Sequence, residues 1–316
     1  MIRIALLVLS LAFAAPSFAG LDDYKDLTLP ASPVRAAADK NLTVTFIGVT
    51  TLLFDDGETA IMTDGFFTRP SYALVARGTI APDRARVTAA LQRAGVKSLA
   101  AVIPVHSHFD HAMDSAVVAQ ETGAMLVGSG STANIGRGAG LPESRIQVVA
   151  NGETVKFGRF NVTFIHSAHL PIGYATGAIT SALSPPAWAT DYKQGEVYTL
   201  LFEHGGRTVL VQGSAGFVPG ALKGRKADVA YLGSGGLGAH DLVYSNGYWK
   251  EIVLAVGARR VIPIHWENFY RSVDEPLAPA EGFDSSMAFI ANRAREAKVD
   301  LRMPVAWTAV DPFSGL

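Results

Sequence analysis

Short apolar segments alternate with polar turns along most of the chain, and their periods predict a mixed α+β protein. Residues 42–47 alternate between apolar and polar side chains as a strand does, whereas Val87, Leu91 and Ala94 recur with the spacing of a helix. Meander strands come first, helix–strand units follow, and the same order then repeats. Two halves of this kind are expected to pack sheet against sheet, with the helices outside.

The same periods give the bounds of the elements. Strands are predicted at residues 42–47, 51–54, 59–62, 98–105, 124–127, 145–149, 153–157, 160–165, 196–203, 207–212, 228–232, 260–264 and 299–302, and helices at 83–94, 111–122, 246–257 and 285–297. His204 falls in a predicted hairpin turn and is expected to be exposed. Residues 170–195 have neither period, and because long irregular loops are uncommon unless they are functional, we expect a binding loop there.

The first residues have the pattern of an export signal. Arg3 supplies a basic start, residues 4–15 are apolar, and small residues lead up to Ala19. Residues 1–19 are therefore predicted to be a signal peptide and residues 20–316 a single mature domain. The apolar run is shorter than the roughly 20 residues that span a bilayer. We expect cleavage, no stable membrane insertion afterwards, and a periplasmic or secreted protein.

Composition and charge narrow the chemistry. The chain has 27 Lys+Arg and 28 Asp+Glu, a formal net charge of −1, and no run of basic residues, so a nucleic-acid partner is not expected. It has no cysteine, which excludes disulfides, thiolate zinc sites, iron–sulfur clusters and cysteine nucleophiles. The expected partner is a small-molecule substrate, and the sequence sets no oligomeric state.

Histidine is concentrated in one short stretch after an apolar strand. Of the eight histidines, His106, His108 and His111 fall in this stretch together with Asp110. Side chains two residues apart on a strand project to the same side, so His106 and His108 can share one metal ion. Asp110 and His111 lie where the chain turns into a helix and can point at a second position beside the first. Imidazoles with a carboxylate favour zinc, and other first-row metals are possible.

The motif His-x-His-x-Asp-His after an apolar strand resembles the motif of the metallo-β-lactamase fold superfamily. The resemblance extends from residues 62–65 to residues 261–265, over most of the predicted mature chain. Within that superfamily the chain looks most like the branch of stand-alone hydrolases related to ascorbate-phosphate lactonase. The resemblance implies a four-layer αβ/βα sandwich that holds its metal ions at one edge, between the two sheets.

The resemblance also implies the remaining ligands. One metal ion would be held by His106, His108 and His169, and the other by Asp110, His111 and His265. His166 is the alternative to His169, because both follow the same predicted strand. The related branch usually spaces its ligand like His169, and His166 would then be an adjacent wall residue or a contact of a ligand.

Two further positions matter for the implied site. The superfamily commonly has a metal-bridging aspartate where this chain has Ser214. The site would then hold either two zinc ions joined only by water or hydroxide, or one zinc ion with a weak or empty second position, and we favour two. Asp64 is implied to hydrogen-bond a metal-bound histidine and fix its tautomer, although Asp before Gly65 is also a common turn pair.

These residues predict an exported metal-dependent hydrolase. Zinc lowers the pKa of a bound water to near 7, and the resulting hydroxide, oriented by Asp110, would attack a small ester, lactone, amide or phosphodiester. His240, in a Gly-rich loop, is either a catalytic proton donor or oxyanion contact, or part of a helix start that Asp241 caps. A partly apolar pocket, or alternatively core, is suggested by the aromatic residues Tyr174, Trp188, Tyr192, Tyr198, Trp266, Phe269 and Tyr270.

Three other functions remain open at this point. A periplasmic β-lactamase resembling the third subclass of metallo-β-lactamases fits the compartment and Ser214, although residues 112–114 lack the Gly-rich continuation common in β-lactamases. An iron-dependent oxidoreductase would use similar ligands but usually retains the bridging aspartate. A non-catalytic metal-binding protein would follow if Ser214 leaves the second metal position empty.

Overall fold

The computed structural model describes residues 20–33 and 41–316, so the predicted signal peptide at 1–19 lies outside the described residues. The strands are β1 (Thr43–Gly48), β2 (Thr51–Asp55), β3 (Ala60–Thr63), β4 (Thr79–Ile80), β5 (Ala101–Ile103), β6 (Met125–Gly128), β7 (Ile146–Val148), β8 (Thr154–Phe157), β9 (Phe160–Ser167), β10 (Ala187–Trp188), β11 (Val197–His204), β12 (Arg207–Gln212), β13 (Val229–Gly233), β14 (Arg260–Ile264), β15 (Asp300–Leu301) and β16 (Ala309–Val310). The α-helices are α1 (Tyr72–Arg77), α2 (Arg84–Arg93), α3 (Phe109–Ala112), α4 (Ser115–Thr122), α5 (Gly130–Gly138), α6 (Leu242–Tyr248) and α7 (Phe283–Ala297).

Two seven-stranded mixed sheets form the centre of the described residues. The first has the order β16-β1-β2-β3-β5-β6-β7 and the second the order β15-β14-β13-β12-β11-β9-β8, while β4 and β10 form a separate pair. Phe54 of β2 and Phe202 of β11 stack with their ring centroids 4.0 Å apart. The two sheets therefore face each other across a shared hydrophobic core.

Helices bury their apolar faces against the sheets. Val87 of α2 and Val118 of α4 share a hydrophobic cluster with Val102 of β5. Ile290 of α7 belongs to the larger core that also contains Val261 of β14. Helices, two sheets and helices thus form the four layers of the predicted αβ/βα sandwich, and the α+β fold class is confirmed.

One edge of the sandwich collects the ends of several parallel strands. β3 runs parallel to β5, and β12, β13 and β14 run parallel to one another. β9 points the same way as β12, because both are antiparallel to β11. The predicted metal ligands follow β5, β9 and β14, so the topology itself delivers them to one edge.

Several predicted boundaries differ from the observed ones for local reasons. The predicted strand at 98–105 is reduced to β5, and its C-terminal end falls at Ile103 because Pro104 has no N–H group with which to continue the ladder. The helix predicted at 246–257 begins earlier, at Leu242, where the Asp241 side chain accepts a hydrogen bond from the Tyr244 N–H group. It continues as a π-helical turn over Trp249–Leu254.

Helix α5 has no counterpart among the predicted elements. Its sequence contains three glycines, which lower helix propensity by about 1 kcal/mol each relative to alanine. The helix forms nevertheless, because the Ser129 side chain accepts a hydrogen bond from the Thr132 N–H group at its start and Ile135 is buried. Within the described ranges, no helix combines the length and apolar character needed to cross a membrane.

The expectation that His204 is exposed is wrong. His204 ends β11 and is 6% exposed, and its Nε2 atom lies 2.9 Å from Oδ2 of Asp56, in the turn between β2 and β3. The ring also packs against Phe160, with ring centroids 4.6 Å apart. The hairpin turn folds back onto the first sheet, which a sequence pattern for a single hairpin does not show.

Candidate metal centre

The turn after β5 carries most of the predicted ligands and is held from both sides. The Val105 N–H group donates to Oδ1 of Asp64, which follows β3. The Ser107 N–H group donates to the carbonyl of Gln194, in the long irregular segment. His108 is the N-cap of α3, so Asp110 and His111 lie in the first helical turn. The strand end and the helix start therefore fix the directions of neighbouring side chains.

His106, His108 and His169 form the first group of candidate ligands. One ligand nitrogen from each lies within 4.8 Å of the others. Nε2 of His106 and Nδ1 of His108 are 3.1 Å apart. Nδ1 of His169 donates to the carbonyl of Leu170 at 2.7 Å, which leaves Nε2 for a metal ion.

Asp110, His111 and His265 form the second group, again with ligand atoms within 4.8 Å of one another. Oδ2 of Asp110 lies 3.5 Å from Nε2 of His111 and 3.3 Å from Nε2 of His265. The two groups adjoin, since the rings of His106 and His111 have centroids 3.9 Å apart. The structure thus brings together all six predicted ligands in the two sets that the sequence proposed.

The ring nitrogens of the candidate ligands test whether a metal ion fits here. Nε2 of His111, which faces Asp110, is buried and has no hydrogen-bond partner, and Nε2 of His106 and Nδ1 of His108 lie 3.1 Å apart. A buried polar atom without a partner is costly and needs an explanation. Five imidazoles and a carboxylate are a donor set that suits zinc and other first-row metals. The residues present therefore fit a metal centre.

Burial and neighbouring charges favour the metal-binding protonation states of His106, His169 and Asp110. Burial lowers the pKa of His106 well below its usual value, and burial together with the charge of His108 lowers the pKa of His169 to about 4. Burial alone would raise the pKa of Asp110, but the charge of His111 and the hydrogen bond from His265 lower it overall. Neutral imidazoles and an ionised carboxylate are the protonation states that bind metal ions.

Asp64 contacts a candidate ligand as the resemblance implied. Its Oδ2 atom accepts a hydrogen bond of 2.6 Å from Nδ1 of His111, which directs Nε2 of that ring toward Asp110. Its backbone has a φ of 53° and its carbonyl accepts a hydrogen bond from the Ser115 hydroxyl. A carboxylate in this position fixes the tautomer and the orientation of the imidazole.

Ser214 lies at the cavity wall but belongs to neither ligand group. Its hydroxyl oxygen accepts a hydrogen bond of 3.0 Å from the Leu170 N–H group. Because Leu170 follows His169, Ser214 holds the backbone beside a candidate ligand. The hydroxyl therefore has a structural partner at the position where the superfamily commonly has a bridging carboxylate.

The structure leaves two predicted residues outside the centre. His166 is exposed on β9, where its backbone N–H group donates to Oδ1 of Asn151, and it is neither a cavity wall residue nor a contact of the described ligands. The His240 ring packs against Tyr244, with centroids 4.7 Å apart, and does not line the cavity. Asp241 caps α6, as the helix-start alternative expected.

Sequence reasoning missed a buried ion pair beside the centre. Nη2 of Arg69 lies 2.9 Å from Oε1 of Glu267, and both side chains are 0% exposed. The same Glu267 oxygen accepts from the Val49 N–H group, and the Val49 carbonyl accepts from the His265 N–H group at 2.9 Å. Val49, Arg69 and His265 all have positive φ angles, a conformation that costs energy outside glycine. The pair therefore holds a strained backbone that carries a candidate ligand.

Asp114 is a second residue that the sequence did not single out. Its carboxylate accepts hydrogen bonds of 2.7 and 2.6 Å from the Phe67 and Thr68 N–H groups and one of 2.7 Å from the Thr68 hydroxyl. Burial raises its pKa to about 6 despite these bonds. Asp114 ties the segment after β3 to the start of α4.

A cavity of about 600 Å³ opens beside both ligand groups. His108, Asp110, His169 and His265 reach its wall. Of the aromatic residues noted in the sequence, those that line the cavity are Tyr174, Phe269 and Tyr270. Trp188 is half exposed. The remaining ones are buried: Tyr192, Tyr198 and Trp266. The predicted binding loop contributes Leu170, Ile172, Tyr174 and Thr190, so the irregular segment forms part of the wall.

Comparison with known proteins adds independent information. A family model described as the beta-lactamase superfamily domain matches residues 59–266, a range that contains all six candidate ligands. The chain is 24% identical over 232 residues to a UPF0173 metal-dependent hydrolase from Heliobacterium modesticaldum, covering 72% of this chain and 84% of that protein.

Two solved structures illustrate the likeness in fold. A protein from Parabacteroides distasonis, described as a metal-dependent hydrolase, has a TM-score of 0.51 and 11% identity, covering 88% of this chain and 99% of that one. The diiron beta-hydroxylase CmlA from Streptomyces venezuelae has a TM-score of 0.53 and 12% identity, covering 88% of this chain and 55% of that one. At these identities the likeness extends to the fold alone.

Proposed function

The chain belongs to the beta-lactamase superfamily and is a metal-dependent hydrolase, and from this premise we propose that it is an exported zinc enzyme. Its substrate would be a small ester, lactone, amide or phosphodiester. The observation that carries the proposal is the convergence of His106, His108 and His169 beside Asp110, His111 and His265, at the wall of an open cavity.

Each group of residues has a distinct part in this proposal. Zinc ions held by the six candidate ligands would supply hydroxide at neutral pH and would polarise the bond to be cleaved. Asp110 would orient the attacking water by accepting a hydrogen bond from it, while Asp64 holds the ring of His111. In the reaction, the water oxygen bonds to the acyl or phosphoryl centre, the bond to the leaving oxygen or nitrogen breaks, and the leaving atom takes up the proton.

The geometry favours catalysis over metal storage. Four of the six candidate ligands reach the cavity wall, so a substrate in the cavity can approach the metal positions directly. A purely structural zinc site is normally closed by its four protein ligands, whereas a catalytic site keeps an open position. We propose two zinc ions, because each ligand group supplies three donors without a contribution from Ser214.

Activity with controlled metal content tests the proposed function. The zinc-loaded protein is assayed on nitrocefin, a γ-lactone, p-nitrophenyl acetate and bis-p-nitrophenyl phosphate, before and after removal of the metal with a chelator. We expect turnover of at least one substrate that chelation abolishes and zinc restores. Nitrocefin turnover would identify the β-lactamase alternative, and full turnover by the metal-free protein would contradict the proposal.

Export is proposed from the sequence of residues 1–19. If it is correct, the protein expressed from its full gene in a bacterial host is recovered in the periplasmic or culture fraction, with Gly20 as its first residue by N-terminal sequencing. Recovery in the cytoplasm with Arg3 still present would contradict this part of the proposal.

A further inference from the structure

The cavity lining combines the candidate metal ligands with a larger set of apolar side chains. His108, Asp110, His169 and His265 mark the metal side. The other described lining residues include Phe109, Ile172, Tyr174, Phe269 and Tyr270, which offer mainly apolar surface. Tyr174 is in ring contact with His108 and Phe269 with His265, so this surface begins beside the candidate ligands. A cavity of about 600 Å³ lies in the range that holds drug-sized ligands. It therefore has room for a substrate part that extends well beyond the reacting bond.

Charge restricts what that substrate part can be. Among the described residues that line the cavity there is no lysine or arginine, and the carboxylates are those of Asp110 and Glu267. The nearby Arg69 is 0% exposed and paired with Glu267, and Arg271 lies outside the lining and pairs with Glu275. A carboxylate or phosphate placed among the apolar side chains, beyond reach of the metal positions, would be desolvated without a cationic partner, which is strongly unfavourable.

Apolar surface continues outward from the cavity to its mouth. Tyr72 of α1 is 66% exposed and Ile172 of the irregular segment is 57% exposed, and both line the cavity. The rings of Tyr72 and Tyr270 are in edge contact, with centroids 5.3 Å apart, so the surface is continuous from mouth to wall. Exposed side chains at the mouth thus extend the apolar lining outward.

From this arrangement we infer that the non-reacting part of the substrate is an uncharged apolar arm, aliphatic or aromatic, that packs against the apolar lining of the cavity. The inference rests on the proposed function for the reacting bond and adds the class of the group attached to it. Sugar phosphates, nucleotides and dicarboxylate esters are the substrates that this lining disfavours. Each methylene buried there contributes about 0.8 kcal/mol, which corresponds to about a fourfold gain in affinity.

Matched pairs of ligands test the inference with and without catalysis. In the metal-free protein, calorimetry compares octanamide with its anionic counterpart, 8-amino-8-oxooctanoate, so that no carboxylate can be captured by a metal ion. In the zinc-loaded protein, kcat/KM is compared for p-nitrophenyl octanoate and for the p-nitrophenyl monoester of octanedioic acid. We expect the neutral member to be preferred at least tenfold in both comparisons.

A charge variant supplies the matched control. Ala76→Lys places a cation at the cavity lining, whereas Ala73→Lys places one on the same helix outside the lining. The first variant is expected to reduce the preference for the neutral ligand at least threefold, and the second to leave it unchanged. A substitution that only perturbed the structure would weaken binding of both ligands and leave the ratio of their affinities unchanged.

The outcomes separate the two proposals. The inference about the arm is overturned if the anionic amide binds as tightly as octanamide or more tightly. It is also overturned if neither amide binds. A preserved preference for octanamide, with no zinc-dependent turnover of any ester, lactone, amide or phosphodiester, supports the inference and contradicts the proposed hydrolytic function instead.

Discussion

Two buried histidine–aspartate pairs in this molecule have similar nitrogen–oxygen distances but use different ring nitrogens and have different surroundings. His111 and Asp64 lie 2.6 Å apart at the edge where the strand ends meet, and His204 and Asp56 lie 2.9 Å apart in the turn between β2 and β3. In the first pair, Nε2 of His111 has no hydrogen-bond partner and faces Asp110. In the second, Asp56 also accepts from the Glu58 and Thr59 N–H groups and closes a turn.

The pKa values of the two aspartates shift in opposite directions. Burial raises the pKa of Asp64, and the opposing charge of His111 only partly offsets it. Burial would also raise the pKa of Asp56, but backbone hydrogen bonds from Thr59 and Glu58 and the bond to His204 lower it overall. A histidine–aspartate pair by itself therefore does not identify a metal site. What distinguishes the first pair is that the unpartnered Nε2 of His111 faces Asp110 within the cluster of candidate ligands.

Removing each histidine should give the largest contrast between the pairs. His111→Ala deletes a candidate ligand and is expected to lower kcat/KM by about a thousandfold or more, since metal assistance accounts for several kcal/mol of barrier lowering. His204→Ala is expected to change kcat/KM by less than about threefold. Steady-state kinetics at matched zinc loading measure both. A comparable loss in the two variants would show that the first pair acts only through stability.

Changing the aspartates tests how each pair acts. Asp64→Asn removes the carboxylate that accepts the hydrogen bond from Nδ1 of His111. It should therefore weaken metal binding by about 10- to 100-fold. Asp56→Asn should leave metal affinity unchanged, because its partner is not a candidate ligand. Competition with a chromogenic chelator gives both affinities. Unchanged metal affinity in Asp64→Asn would remove the positioning role assigned to Asp64.

The smallest expected effect concerns stability and pH. Asp56→Asn should lower the free energy of unfolding at pH 7 by about 1 kcal/mol, because it weakens buried hydrogen bonds to a charged group. The folded-state pKa of Asp56 is lowered from its ordinary 3.8, so its contribution is present above that value and is lost as pH falls through the folded-state pKa.

Denaturant unfolding of metal-free protein from pH 7 down into the acid range checks this prediction. The difference between wild type and Asp56→Asn should shrink as the solution is acidified. A difference that grows on acidification would mean that the carboxyl group is protonated in the folded state, which would contradict the account of this turn.

The sequence predicted those parts of the molecule that depend on local spacing. His106, His108, Asp110 and His111 stand close together in the chain, and strand order brings the remaining ligands to the same edge. The ion pair of Arg69 and Glu267 joins residues 198 positions apart, and no local pattern marks either of them.

The other differences between the predicted and the observed structure also arise from contacts between residues far apart in the chain. His204 is buried because its turn meets Asp56, which lies 148 positions earlier in the chain. Helix α5 forms despite three glycines because Ile135 packs into a core cluster with Phe109 and Tyr192. His240 lies in a Gly-rich loop after a strand, but that loop leads into α6 and not into the cavity.

The metal content of purified protein tests the central claim most directly. Elemental analysis after zinc loading and desalting should give about two zinc ions per wild-type chain. The variant His106→Ala and the variant His265→Ala should each retain about one, and the combined variant none, with circular dichroism showing that all remain folded. Wild-type zinc content in the folded combined variant would contradict the claim that these two groups of three residues hold the metal.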